Sequence, residues 1–131
     1  MKKTLKADYE YFKLRCKHWI SFFGGLPSWN ISYTHEEFDL NDGDQAQAWA
    51  RVDYVNSMAC IAFNKEWIDD ISFYNKEAID FIAFHEVCEV LFAEIEELGH
   101  RRFNVSQDDF LHARHKLIHL FENSVFKAFK A

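Results

Sequence analysis

Proline occurs once and glycine four times in 131 residues, which leaves no stretch for a flexible linker between separate folding units. A single domain over residues 1–131 is therefore expected. With 49% hydrophobic residues and fourteen Phe, the chain has ample apolar surface for a core at this size. Cysteine is scarce as well. Cys16, Cys60 and Cys88 are odd in number and widely spaced, which suits reduced thiols in a cytoplasm better than a disulfide framework. Long apolar runs are missing. The opening MKKTLKADYEYFK carries lysines without the apolar core of a signal peptide, and no uninterrupted apolar stretch reaches the roughly 18 residues needed to span a bilayer. Lys and Arg number 15 against 21 Asp and Glu, a formal net charge of −6, so the clustered cations that hold nucleic-acid phosphates are lacking. These absences predict a cytoplasmic chain without nucleic-acid or membrane partners, and leave a protein or peptide as the expected partner.

What is present falls into helix-period and strand-period segments. From Thr4 to Phe23 the apolar positions Leu5, Tyr9, Phe12, Cys16, Trp19, Ile20 and Phe23 recur at three and four residues, the spacing of an amphipathic helix. The run GGLP ends it. Trp29, Ile31 and Tyr33 alternate within WNISYTHEEF, predicting a first strand from Trp29 to Phe38, and DLNDGDQ (residues 39–45) is a polar turn signal. QAWARVDYV places Ala48, Ala50, Val52 and Tyr54 on one side. After Asn56 and Ser57, MACIAFN is apolar enough for a buried strand, and a hairpin is the natural join. Apolar residues then return to helical spacing from Lys76 to Leu98, with Gly99 placed as a left-handed C-terminal cap. Ser106, followed three residues later by Asp109, resembles a capping box, and Leu111, Leu117, Ile118, Phe121 and Val125 continue a third helix toward Phe129. The fold class expected is α+β, in the order α-β-β-β-α-α, with a small, mostly antiparallel sheet.

Chemistry concentrates on the last two helices. In FIAFHEVCEVLF (residues 81–92), His85 and Glu89 project about 40° apart one turn from each other, so both can reach one cation near 2.0–2.2 Å, the ordinary zinc bond lengths. Glu86 points about 100° away from His85, where a general base acting on metal-bound water stands. A third ligand is needed, and the next helix offers a column of Asp108, His112, His115, His119 and Glu122 on one face. Such a column is equally what a solvated helix face looks like. Cys88 is three residues from His85 but is expected to point into the core. His18, His35 and His100 have no partners at ligand spacing and read as surface residues. Asp109 with His112, and Glu97 with His100, echo a di-iron Glu-x-x-His spacing, yet a four-helix carboxylate bundle leaves the strands unexplained.

The order of elements, with LPSWNI after the first helix and FIAFHEVCEVLF late in the chain, resembles small phage-encoded metallopeptidases related to the minimal gluzincins and SprT-like zincins. The likeness covers nearly the whole chain, in pattern more than in identity. That family reads His-Glu-x-x-His on its active helix and takes a Glu ligand from the following helix. Here Glu89 stands at the second His position, and the following helix carries His. Aligning Leu117, Ile118, Phe121 and Val125 with the family's pattern puts His115 at the ligand position. The resemblance thus implies a zincin-like domain, in a host cytoplasm if phage-encoded, that holds Zn²⁺ through His85, Glu89 and His115. Glu86 would serve as catalytic base in peptide hydrolysis. His112 or His119 in place of His115 stays open. A second expectation is a zincin-derived protein that has lost proteolysis and acts through a protein partner, because a carboxylate in place of the second imidazole changes ligand direction and reach.

Overall fold

The computed structural model describes residues 2–26, 28–38, 46–68 and 74–130. The architecture is α+β. Helix α1 (Lys6–Phe22) precedes strands β1 (Asn30–Glu36), β2 (Ala48–Asp53) and β3 (Met58–Asn64), and helices α2 (Lys76–Leu91), α3 (Ala93–His100) and α4 (Gln107–Phe121) follow. A π-helical turn (Glu122–Phe126) and a short α5 (Lys127–Lys130) end the chain. The turn expected at residues 39–45 and Pro27 of the GGLP signal lie outside the described residues. Gly24 and Gly25 do end α1, with φ of 96° and 79°, a left-handed conformation that glycine adopts without a Cβ penalty.

The strands form one three-stranded sheet in the order β1-β3-β2. β2 and β3 make the expected hairpin, with Ala48 opposite Phe63 and Asp53 opposite Met58. Asp53 supports the turn by accepting from the Asn56 side chain at 2.7 Å. β1 pairs with β3 in parallel, Asn30 opposite Met58 through Glu36 opposite Asn64. The sheet is therefore mixed rather than mostly antiparallel. β3 is the most buried strand and takes the centre, so β1 lands on its second edge after the chain has crossed over through β2.

One face of β3 carries Ala59, Ile61 and Phe63, buried in one core with Phe12 and Cys16 of α1 and Ile79, Ala83, Val87 and Val90 of α2. Phe12 stacks on Phe63 at 4.7 Å. The two helices are locked across their packed faces by Asp80, which accepts from Arg15 Nε at 2.7 Å and from Trp19 Nε1 at 2.8 Å. Residues before α1 extend the sheet: Thr4 N–H donates to Lys65 O at 2.8 Å. The Thr4 hydroxyl donates to Asn64 O at 2.7 Å, which makes His35 Nε2, 2.8 Å away, the donor to Thr4 Oγ1. His35 is thus not a surface residue. It stacks on Tyr9 at 5.0 Å, and burial, with Lys65 nearby, lowers its pKa.

The helices depart from the sequence pattern in two places. The stretch expected as one helix to Leu98 breaks at Phe92 (φ −92°, ψ 7°), and Gly99 lies inside α3 rather than capping it. No Pro or Gly marks the break. It lets Ala93 and Leu98 be buried, while Ile95, which the unbroken period would place inward, is exposed. The last helix starts at the expected capping box, Asp109 N donating to Ser106 Oγ at 3.2 Å and Ser106 N to Asp109 Oδ2 at 2.9 Å. It widens at Glu122–Phe126, where the buried Ser124 hydroxyl donates to Leu120 O at 2.7 Å, a back-bond that competes with the helical ladder. Among the described residues no helix is long and apolar enough to cross a membrane.

The Asp80 link is the part of this scaffold open to a direct test. Burial opposes its ionisation, but the hydrogen bonds from Arg15 and Trp19 outweigh that and hold the carboxyl below its ordinary range. Its stabilisation is therefore present above the unfolded carboxyl value and lost as pH falls through the lower folded value. Asp80→Ala should lower stability by about 1–3 kcal/mol at neutral pH, read as a shift in urea midpoint at unchanged slope, and by less at pH 2 to 3. An equal loss at both pH values would contradict the ion-pair account.

Candidate functional site

α2 presents His85, Glu86 and Glu89 toward β2. As expected from the helical directions, the three separate by burial. His85 and Glu89 are exposed, with His85 Nε2 3.3 Å from Glu89 Oε1. Glu86 turns inward and is 5% exposed. Its Oε2 has no hydrogen-bond partner. Burial, reinforced by the Glu89 carboxylate one turn on, pushes the Glu86 carboxyl up to about 8. Burial and Glu89 thus favour its protonated form, and a cation or donor beside it would favour the ionised one.

These side chains line a groove of about 640 Å³ bounded on one side by α2 and on the other by Trp49, Ala50 and Arg51 of β2, with Glu36 and Glu37 at one end. A second hollow of about 320 Å³ continues it past Glu89 to Glu96, Glu97 and His100 of α3. Among the described residues β2 is an outer strand of the sheet, bonded to β3 alone. Ala48, Trp49, Ala50 and Arg51 of this strand line the groove. Arg51 lies over the Trp49 ring at 4.1 Å, and Trp49 packs on Phe38 at 5.6 Å. Glu36 and Glu37 were not singled out from sequence, and Trp49 and Arg51 were legible only as part of the strand QAWARVDYV. The alternation of β2 marks Trp49 and Arg51 as opposite in direction to Ala48 and Ala50, but nothing local tells that this strand is outermost.

The structure brings together two of the three expected ligands. His115 sits on the exposed side of α4, and its Nδ1 is 2.8 Å from Leu111 O of its own helix. Ala113, Lys116, Leu117 and Leu120 are the α4 residues that line a small hollow together with Val90 and Leu91 of α2. At about 100° per residue His115 projects well over 90° away from that face. The open alternatives fare no better: His112 Nε2 is 3.8 Å from Glu94 Oε1, and His119 Nδ1 is 3.8 Å from Glu122 Oε1. Among the described residues no three His, Cys, Asp or Glu side chains converge to hold a metal ion. A catalytic zinc takes three protein ligands and an open position. His85 and Glu89 supply two, so the placed residues do not fit that site, and no step is assigned to a metal. Cys88 is half-buried and packed against the core, and burial raises its thiol pKa.

A separate cavity of about 620 Å³ opens between Gly25, Trp29, Tyr54 and the α3–α4 corner. Its two cations are engaged, Arg101 with Glu97 at 3.4 Å and Lys116 with Glu94 at 3.4 Å. Comparison of the chain with protein families, with curated proteins and with solved structures returns no match.

Two measurements follow from the placement of these groups. A carboxyl raised in the folded state makes stability fall as pH rises from its ordinary value near 4.5 to about 8, by up to about 1.4 kcal/mol per unit. Glu86→Gln should remove that slope and be the more stable protein at pH 8, and a slope unchanged by the variant would show the carboxyl to be solvated. For any zinc the protein binds, His85→Ala and Glu89→Ala should weaken affinity while His115→Ala leaves it unchanged, by titration calorimetry. Loss of zinc in His115→Ala would instead mean that α4 turns to complete the ligand set.

Proposed function

We propose that the chain binds an extended polypeptide segment in the groove between β2 and α2, the segment adding as a further strand to the outer side of β2. The observation that carries this is the outer position of β2 among the described strands, with Trp49, Ala50 and Arg51 lining the groove opposite His85, Glu86 and Glu89. In an antiparallel pair every second residue of the outer strand directs its N–H and C=O away from its partner. A peptide laid there satisfies those groups by main-chain bonds and sends alternate side chains into the groove. The activity assigned is recognition of a protein partner, in keeping with a zincin-like design that lacks a complete ligand set.

A second reading is hydrolysis of the bound segment by a zinc-dependent peptidase. The 3.3 Å approach of His85 Nε2 to Glu89 Oε1 at the groove wall favours it, and it requires a third ligand such as His115 to reach them.

Backbone pairing predicts a pattern that side-chain contacts do not. A binding peptide N-methylated at alternate positions should lose at least about tenfold in affinity in one register and little in the other, because only one set of N–H groups faces β2. Amide shifts should centre on residues 48–53. Equal effects of both methylation registers would rule out strand addition. Cleavage of an unfolded protein that stops on chelation and returns with zinc would favour the second reading.

A further inference from the structure

We propose that the groove selects segments bearing lysine or arginine, with one cationic side chain reaching the buried Glu86 carboxyl between His85 and Glu89. This requires the groove to receive a peptide, as proposed above, and adds the chemical class of the peptide.

Two independent observations point the same way. The first is the sign of the walls. Along its length the groove carries the carboxylates Glu36, Glu37, Glu89, Glu96 and Glu97 against Arg51 as its lysine or arginine. Glu37 and Glu97 have cations of their own, Lys3 at 3.3 Å and Arg101 at 3.4 Å. Glu89 has the His85 ring as its ion-pair partner and lies beside the Glu86 carboxyl, and Glu96 has the ring of His100 at 3.6 Å. Arg51 is held over the Trp49 ring at 4.1 Å. An acidic segment is repelled along this path, and a basic one is drawn to it.

The second observation is the orphan oxygen. Glu86 is 5% exposed, lines the groove and leaves Oε2 without a partner. Buried polar atoms are nearly always bonded, so a carboxyl oxygen left alone in a groove marks a place where a polar partner is expected, and a cationic donor there would also hold the carboxyl ionised. Lysine brings three donors on a long stem, and arginine five in a planar fork. Either stem is apolar enough to lie along the Ala48 and Ala50 side of β2 before its head reaches the carboxyl. Alternate residues of an extended segment share one face, so basic residues at every second position meet Glu86 and the exposed carboxylates on either side.

The probes are three fluorescent nonapeptides of serine and threonine, carrying lysine, norleucine or glutamate at the third, fifth and seventh positions. Anisotropy titrations should show the lysine peptide binding at least about tenfold more tightly than the norleucine peptide, and the glutamate peptide most weakly. In Glu86→Gln the ratio of lysine to norleucine affinity should fall to within about threefold. The exposed Glu89→Gln should shrink it partially, and serves as the charge test if Glu86→Gln fails to fold. Lysine and norleucine affinities within twofold of each other, or a lysine advantage that survives both variants, would overturn the selection of cations and leave peptide binding intact. Failure of all three peptides to bind would instead remove the peptide groove itself.

Discussion

The burial of β3 on both of its edges governs the rest of the molecule. Ile61 and Phe63 are fully enclosed, and α1 and α2 lie against them through Phe12, Ile79, Ala83 and Val87. Once this strand is central, its hairpin partner β2 must be outermost, because a four-residue turn leaves β2 nowhere else to pair. α2 is then held beside β2, since the same face that carries Ala83 and Val87 into the core carries Glu86 to the margin of the sheet. The Asp80 link to Arg15 and Trp19 prevents α2 from sliding along α1. The groove is thus a by-product of core packing, and its width is set by residues that never touch what lies in it.

Glu86 is the position where local stability and this scaffold disagree. An apolar residue of similar size would fit the α2 face between Ala83 and Val90 without the cost of burying a carboxyl whose Oε2 has no partner. Such costs persist in folded proteins mainly where a group is needed for something other than folding. His85 and Glu89, by contrast, are exposed, and their pairing at 3.3 Å is the ordinary contact of residues four apart on a helix, worth a few tenths of a kcal/mol. Of the three polar residues in the motif, the buried one therefore carries the greater physical information.

Features encoded within a few residues were legible from the sequence. The bounds of β3, the hairpin before it, the glycines that end α1 and the Ser106–Asp109 capping box depend on local chemistry and are found where the pattern puts them. The separate directions of Glu86 and of the His85–Glu89 pair were legible for the same reason, as they follow from helical geometry alone. Features decided by distant contacts were not. The parallel pairing of β1 depends on which strand wins the centre of the sheet. The break at Phe92 carries no Gly or Pro, and only the burial of Ala93 and Leu98 explains it. His35 looked isolated because its partners Thr4, Tyr9 and Phe63 are far from it along the chain. The direction of His115 depends on which side of α4 meets α2, and a column of histidines does not carry that information. Ala113, Leu117 and Leu120 do.

The exchange at position 89 bears directly on what the groove can accept. A carboxylate one turn beyond Glu86 adds repulsion to burial, and both act to keep the Glu86 proton in place. An imidazole at the same position would remove the repulsion and offer a neutral nitrogen, an arrangement in which Glu86 ionises more readily beside a bound metal. With Glu89 present, the floor of the groove has two adjacent carboxyl groups and one imidazole, and its stable occupant is a group that brings positive charge and several donors together. An alkyl ammonium meets that requirement, and a divalent cation brings the charge without the donors. They differ in geometry: a metal needs a third ligand from the direction of α4, where His115 is turned away, whereas an ammonium needs only the open side of β2, from which an extended chain can enter.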